Sequence, residues 1–340
     1  MTADPLLRYW RIRAGEAEAK YLLAKRRMVD VDLGMDTETL RRMHDSVMLD
    51  GSSTGKTPLL DLKKELSKRM LDDCALCERA CHAKRASGMA GHCGVLEPRI
   101  SSEFLHMGEE PELIPSHTIF FSGCTFDCVY CQNHDISSNP EAGTIVSPEL
   151  LSRRIEERAY TRDKGLSLTR TSIRSININW VGGDPTPNLS FILDTLSKCE
   201  ANLPQIWNSN MYLTKHAMQI LDGVIDVYLT DFKYGNDDCA RRLSNVDRYV
   251  AILKRNHIIA RRQTEMIVRH LVLPSHIECC TRPVLTWIAE NLKGVKVNVM
   301  GQYGPAHIAR QFPELSRPLS PLEFESAIEI AHDLGLDLCD

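Results

Sequence analysis

No stretch of this 340-residue chain approaches the ~20 consecutive apolar residues of a membrane-spanning helix. Neither sign of charge dominates, because 41 Lys and Arg face 45 Asp and Glu for a formal net charge of −4. That balance lends no support to a nucleic-acid coat or a membrane-surface protein. The polar start MTADPLLRYWRIR is unlike a secretory leader, so a cytoplasmic setting is expected. Internal repeats and low-complexity tracts are missing too. So is a phosphate-binding loop: the segment GSSTGKT is one residue short between its glycines, and no apolar strand precedes it. A surface loop leading into the next helix is the expectation there. With 43% apolar and 25% charged residues the chain is an ordinary folded protein of one large domain or two smaller ones.

Cysteine, by contrast, is plentiful, with 12 residues. A cytosolic compartment keeps thiols reduced, so clustered cysteines point to metal or redox chemistry rather than to a disulfide framework. Cys74, Cys77, Cys81 and Cys93 form one cluster; Cys124, Cys128 and Cys131 form another. Cys199, Cys239, Cys279, Cys280 and Cys339 are scattered and read as small buried or surface residues.

Residues 1–71 read as a helical N-terminal extension, 72–110 as a four-cysteine segment, and 111–340 as an α/β unit. In the last, short apolar runs at 117–122, 175–181, 205–210, 224–232, 265–273 and 295–301 alternate with helix candidates at 147–160, 189–201, 214–222, 236–255, 281–292 and 320–334. Ser or Thr before Pro or an acidic residue opens several of these helices. Apolar strands that lack polar alternation suit a parallel sheet covered on both faces, so the expected fold is a partial (β/α)6 barrel of the TIM type. Functional residues then gather at the C-terminal strand ends. Those ends read GCTFDCVYCQN, GGDPTP, NSNMY, TDFKY, RHLVLP and MGQYGP.

Three thiolates in Cys124-x-x-x-Cys128-x-x-Cys131 can hold three corners of a [4Fe–4S] cube, leaving one iron open to a substrate or cofactor. The alternative is a tetrahedral zinc site that borrows a remote ligand such as His134. Asp231 and Lys233 alternate with Phe232, so both charges enter the barrel if Phe232 packs outward. A buried Asp–Lys pair is costly alone, and an added carboxylate or cation completes it.

The Cx3CxxC motif after a first strand resembles the radical S-adenosylmethionine (SAM) superfamily, and the later strand ends follow that family's order. The resemblance covers about residues 74–335 and is closest to homologues of pyruvate formate-lyase-activating enzyme that carry CQN and MGQY. It implies a [4Fe–4S] cluster on Cys124, Cys128 and Cys131. Gly182, Gly183, Asp184 and Pro185 look like the GGE-P motif that receives the SAM amino group, with Asp in place of Glu. Asp231 and Lys233 resemble a D-x-K motif beside the SAM carboxylate, Arg269 an arginine that approaches SAM, and Tyr130 an aromatic whose backbone contacts adenine. The implied activity is reductive cleavage of SAM to a 5′-deoxyadenosyl radical that abstracts hydrogen, fed by a reductant such as ferredoxin or flavodoxin. The substrate is undefined, a protein among the candidates. Glycyl-radical activases usually read CxxCHN, whereas Gln132 follows Cys131 here and an N-terminal extension is added.

Inward asparagines, Asn177 with Asn179 and Asn208 with Asn210, either bind SAM or substrate or are satisfied by backbone; Asn210 is counted with the cofactor residues. His270 is expected to face away from the barrel, and Gln302 and Tyr303 to line its mouth. The Cys74–Cys93 group, with His82 and His92 nearby, is a full ligand set for zinc or a second cluster, or else four free thiols. Two other classes compete. An iron–sulfur electron carrier has no use for GGDP, DFK and Arg269 on successive strands, and a zinc-based nucleic-acid module would need more than the scattered Arg79, Lys84, Arg85 and Arg99.

Overall fold

Strand periodicity explains how the barrel is layered. In the computed structural model, which describes residues 4–51, 53–160 and 174–339, the six apolar runs form parallel strands. After β1 (Arg99–His106), whose outer side pairs antiparallel with the short segment Thr144–Ile145, come β2 (Ser116–Phe121), β3 (Ile178–Gly182), β4 (Gln205–Ser209), β5 (Val227–Asp231), β6 (Glu265–Leu271) and β7 (Lys296–Met300). From β2 to β7 each strand pairs in parallel with the next. The helices between them are α5 (Pro148–Tyr160), α6 (Leu189–Lys198), α7 (Lys215–Leu221), α8 (Asp237–Ser244), α9 (Tyr249–Gln263) and α10 (Arg282–Asn291), with α11 (Pro321–Asp333) last. This is a partial (β/α)6 barrel, as the alternation predicts.

Alternate residues on the inner face change character along each strand. Ile206, Leu229 and Ile267 form a low apolar layer, and two residues further on Asn208, Asp231 and Arg269 form a polar one. The outward set includes the buried Trp180, Trp207 and Tyr228, which accounts for strands that are apolar on both faces.

The N-terminal helices are α1 (Leu7–Arg13), α2 (Lys20–Arg26), α3 (Thr37–Asp50) and α4 (Leu59–Arg69), with a two-stranded antiparallel pair, Met28–Val29 and Thr57–Pro58, interrupting the expected helical reading. Residue 52 of the GSSTGKT segment lies outside the described residues. Leu6 and Tyr9 complete the low apolar layer, so α1 closes the barrel floor. The Tyr9 N–H donates to the Glu265 carboxylate at 2.9 Å, the Arg8 N–H to its other oxygen, and the Lys20 N–H to Asp226 at 3.0 Å.

Two elements depart from expectation. Arg99–His106 falls in the four-cysteine segment, yet it runs antiparallel to β2 and joins the sheet. The helix expected over 236–255 breaks into α8 and α9, because Asn245 and Arg248 both adopt left-handed conformations with φ of 52°. Asparagine tolerates that region better than most residues and here ends α8.

Candidate active site

The loop after β2 carries the three cysteines. Asp127 and Val129 donate their N–H groups to the Ser244 and Leu243 carbonyls, fastening the loop to the C-terminal end of α8. Gly183 lies so near that a Cβ there would sit 2.2 Å from the Gly123 oxygen. Glycine at 183 is thus a requirement of close backbone approach.

Cys124, Cys128 and Cys131 line one cavity of about 260 Å³ at the C-terminal strand ends. Tyr130, Gly182, Gly183 and Asn210 line it too, as do Asp231, Lys233 and Arg269 from β5 and β6. Ten of the residues assigned from sequence to the cluster or the cofactor thus line one chamber together with Asn208 and Gln302. Asp184 and Pro185 do not line it. The buried Asp184 carboxylate instead accepts from the Thr186 N–H at 2.9 Å, the Ser209 hydroxyl at 2.9 Å and the Asn210 N–H at 3.0 Å. It brackets the turn after β3 to the end of β4. Tyr303 is also structural: its hydroxyl donates to the Leu315 carbonyl at 2.7 Å while its ring packs edge-on to Tyr130.

The charged layer is a closed network. Lys233 Nζ is 2.8 Å from Asp231 Oδ2, and Arg269 Nε is 3.0 Å from Asp231 Oδ1. Phe232 points outward onto Tyr249 and Trp287, which sends its two neighbours inward. Burial pushes the Asp231 carboxyl up, but the Arg269 and Lys233 cations outweigh that and hold it at about 2. Arg269 also reaches Asn208 Oδ1 and lies 3.5 Å from Glu109.

Glu109 was not singled out from sequence, since EEPEL reads as a linker before the first strand. It accepts from Asn179 Nδ2 at 3.1 Å. Burial pushes its carboxyl up to about 7 despite Arg269. Asn177 sits lower, donating to Tyr9 Oη and the Leu113 carbonyl, so its amide is used by the floor. His270 faces outward as expected, between the Phe232 carbonyl and Thr281 Oγ1, and burial lowers it to about 4.

This chamber suits a cluster and a carboxylate-bearing cofactor. Its donors are three soft thiols, two of them raised by burial: Cys128 is pushed up to about 11 and Cys124 well above the usual thiol range. Lys233 and Arg269 share the ionised Asp231, and Arg269 also meets Glu109, so it is Lys233 that is left with no second carboxylate of its own and could meet a bound anion. A hydroxyl chain supports the middle thiol, with Tyr130 Oη 2.6 Å from Tyr234 Oη, Tyr234 bonded to Ser244, and Ser244 Oγ donating to Cys128 Sγ at 2.9 Å.

Cys74, Cys77, Cys81 and Cys93 line a second, small cavity behind the cluster loop. Arg79 Nη2 and Arg85 Nε are buried there without partners, although Arg79 Nε donates to the Thr125 carbonyl at 2.9 Å and Arg85 Nη1 to the Pro187 carbonyl at 2.9 Å. Gly91 packs against Cys81: a Cβ there would lie 2.4 Å from Cys81 Sγ, so a larger residue would make that thiol turn away.

Thiols and paired cations thus gather at the mouth of a parallel barrel, the end where barrel enzymes carry their active sites. Residues 118–288 match the model of the Radical SAM superfamily, and the chain belongs to that superfamily. An uncharacterised protein of Methanocaldococcus jannaschii is 42% identical over 347 residues, spanning 97% of this chain and 98% of its own. Among solved structures, SuiB of Streptococcus suis bound to precursor peptide SuiA is 11% identical with a TM-score of 0.46, covering 63% of this chain and 46% of SuiB. Methylornithine synthase (PylB) is 12% identical with a TM-score of 0.45, covering 97% of this chain and 77% of its own. Membership implies a [4Fe–4S] cluster, SAM and a reductant. Among the described residues no helix is long and apolar enough to cross a membrane.

Proposed function

We propose that the protein cleaves SAM reductively to a 5′-deoxyadenosyl radical that takes hydrogen from a substrate. The observation that carries this reading is the convergence of Cys124, Cys128 and Cys131 with Asp231, Lys233 and Arg269 on one cavity. Cys124, Cys128 and Cys131 would hold the cluster, which when bound would supply the electron for reductive cleavage of SAM. Lys233 and Arg269 bind the SAM carboxylate, with Asp231 fixing both cations between them. Backbone at Gly182 and Gly183 receives the SAM amino group, while the Asp184 carboxylate holds that turn in place. Tyr130 presents its backbone to the adenine, and its hydroxyl anchors it to Tyr234. The floor closed by α1 keeps water from the inner layer.

In the same reading, Cys74, Cys77, Cys81 and Cys93 hold a second metal centre, zinc or a cluster. Two unpartnered guanidinium nitrogens beside four thiols support it, since four metal-bound thiolates carry the negative charge these groups lack. A ferredoxin or flavodoxin is the proposed reductant. Anaerobic protein mixed with SAM and dithionite should yield 5′-deoxyadenosine, and the Cys124/Cys128/Cys131→Ala variant none. An active variant would end the reading.

A further inference from the structure

Three of the cysteines that look scattered in sequence meet in space. Cys239 lies in the first turn of α8, and Cys279 and Cys280 lie in the π-helical turn Ile277–Thr281 that precedes α10. Cys239 Sγ is 4.0 Å from Cys279 Sγ, which is 3.9 Å from Cys280 Sγ, and all three sulfurs fall within 4.8 Å of one another. Among the described residues this is the one trio of metal-ligating side chains so closely grouped. It lies apart from both cavities described above.

We propose that Cys239, Cys279 and Cys280 bind a single thiophilic cation, zinc being the closed-shell ion their spacing fits. Sulfurs 2.3 Å from one zinc are separated by about 3.8 Å in a tetrahedron and about 4.0 Å in a flat triangle. The Cys239–Cys279 and Cys279–Cys280 edges, 4.0 and 3.9 Å, fall in or at that interval, and the third is under 4.8 Å. A soft, all-sulfur donor set selects zinc or copper(I) over magnesium or calcium. Burial grades the trio from the enclosed Cys280 through the half-buried Cys239 to the exposed Cys279, so the ion would be capped on one side and keep a fourth position open to water.

Groups that commonly surround metal-bound thiolates are present. Asn236 Nδ2 donates to Cys239 Sγ at 3.3 Å and to the Cys279 carbonyl at 2.9 Å, and it approaches Cys280 Sγ at 4.0 Å. The loops already touch backbone to backbone: a Cβ on Gly235 would lie 2.6 Å from the Cys279 oxygen. Binding would exchange thiol protons for the ion with no change in oxidation state.

The ion would pin the start of α8 to the turn after β6. The far end of the same helix holds the cluster loop through Ser244 and Leu243, and Lys233 lies three residues before Asn236. The site would therefore be a clamp on the loop that carries Lys233, and its existence does not depend on the SAM reading.

The test compares anaerobic holoprotein with Cys279→Ser and Cys239→Ser after incubation with Zn²⁺ and gel filtration. The expected result is one zinc fewer per chain in each variant, with iron unchanged, and suppression by Zn²⁺ of iodoacetamide alkylation at Cys279 in the parent. Cys279 is exposed, so its serine variant keeps the comparison available if Cys239→Ser fails to fold. Equal zinc in parent and variants, loss of iron instead, bound copper in place of zinc in the protein as purified, alkylation indifferent to Zn²⁺, or a Cys239–Cys279 disulfide would each overturn the proposal.

Discussion

Arg269 donates through Nε to Asp231 Oδ1 at 3.0 Å, and the two residues are register partners on the adjacent strands β6 and β5. Sheet register, rather than a flexible loop, thus sets the spacing of the ion network, and Lys233 is added two residues beyond. A carboxylate between two cations in a buried layer is half of a charge-matching site, because it leaves one cation for a ligand.

Lys233→Ala removes that cation. SAM binding should weaken by about 1.5–3 kcal/mol, the range for a charge-assisted contact. This is roughly a 10- to 150-fold rise in Kd. Iron content and the visible spectrum should be unchanged, since Lys233 is no cluster ligand. Equilibrium dialysis with labelled SAM reads the first effect and iron analysis the second; normal SAM binding would remove Lys233 from the site.

Asp184→Ala leaves the Thr186 N–H, the Asn210 N–H and the Ser209 hydroxyl without their acceptor. Unsatisfied buried donors cost about 1–3 kcal/mol each, so urea unfolding should show a loss of about 3 kcal/mol or more. If stability held while SAM affinity collapsed, Asp184 would be a cofactor ligand and not a bracket.

Glu109 gives stability a pH dependence of defined sign. Its neighbours are Arg269, Glu110, Asp231, Asn179 and His106, and burial outweighs the Arg269 cation in raising its carboxyl to about 7. The folded protein therefore holds a proton that the unfolded chain releases near pH 4.5. Stability should fall as pH rises from about 4.5 to about 7 and level off above, by about 3 kcal/mol in all. Glu109→Gln should flatten this component, read as the difference between the two proteins' pH–stability curves. Parallel curves would show that Glu109 titrates normally.

Cys77→Ser should release the metal of the four-cysteine group and lower the thermal midpoint, because an ion held only by the folded state contributes its binding free energy to folding. Calorimetry and metal analysis on the same sample check both. An unchanged midpoint with no metal lost would mean four free thiols.

Most of the barrel strands were legible because they are largely buried and rich in apolar residues, although β7 alternates between buried and half-buried positions. β1 was not: RISSEFLH mixes buried, half-buried and exposed positions, and its apolar residues form no run. The sulfur motif, the DFK alternation and Arg269 could be placed because strand ends fix them. Glu109 could not, since it enters the barrel from an irregular loop that no periodicity describes. Nor could the Cys239–Cys279–Cys280 trio, because Cys239 lies 40 residues from Cys279 in sequence and meets it only where the start of α8 packs on the π-helical turn before α10.

The floor contacts impose an order in time. The Arg8 N–H docks on Glu265, 257 residues later in the chain, and the Lys20 N–H on Asp226, 206 residues later. At about 5–20 residues per second of synthesis, the first helix waits roughly 10 to 50 s before its acceptor has been made. Until then Leu6 and Tyr9 have no strand to cover, and the nascent chain carries the stopper of a vessel whose walls do not yet exist.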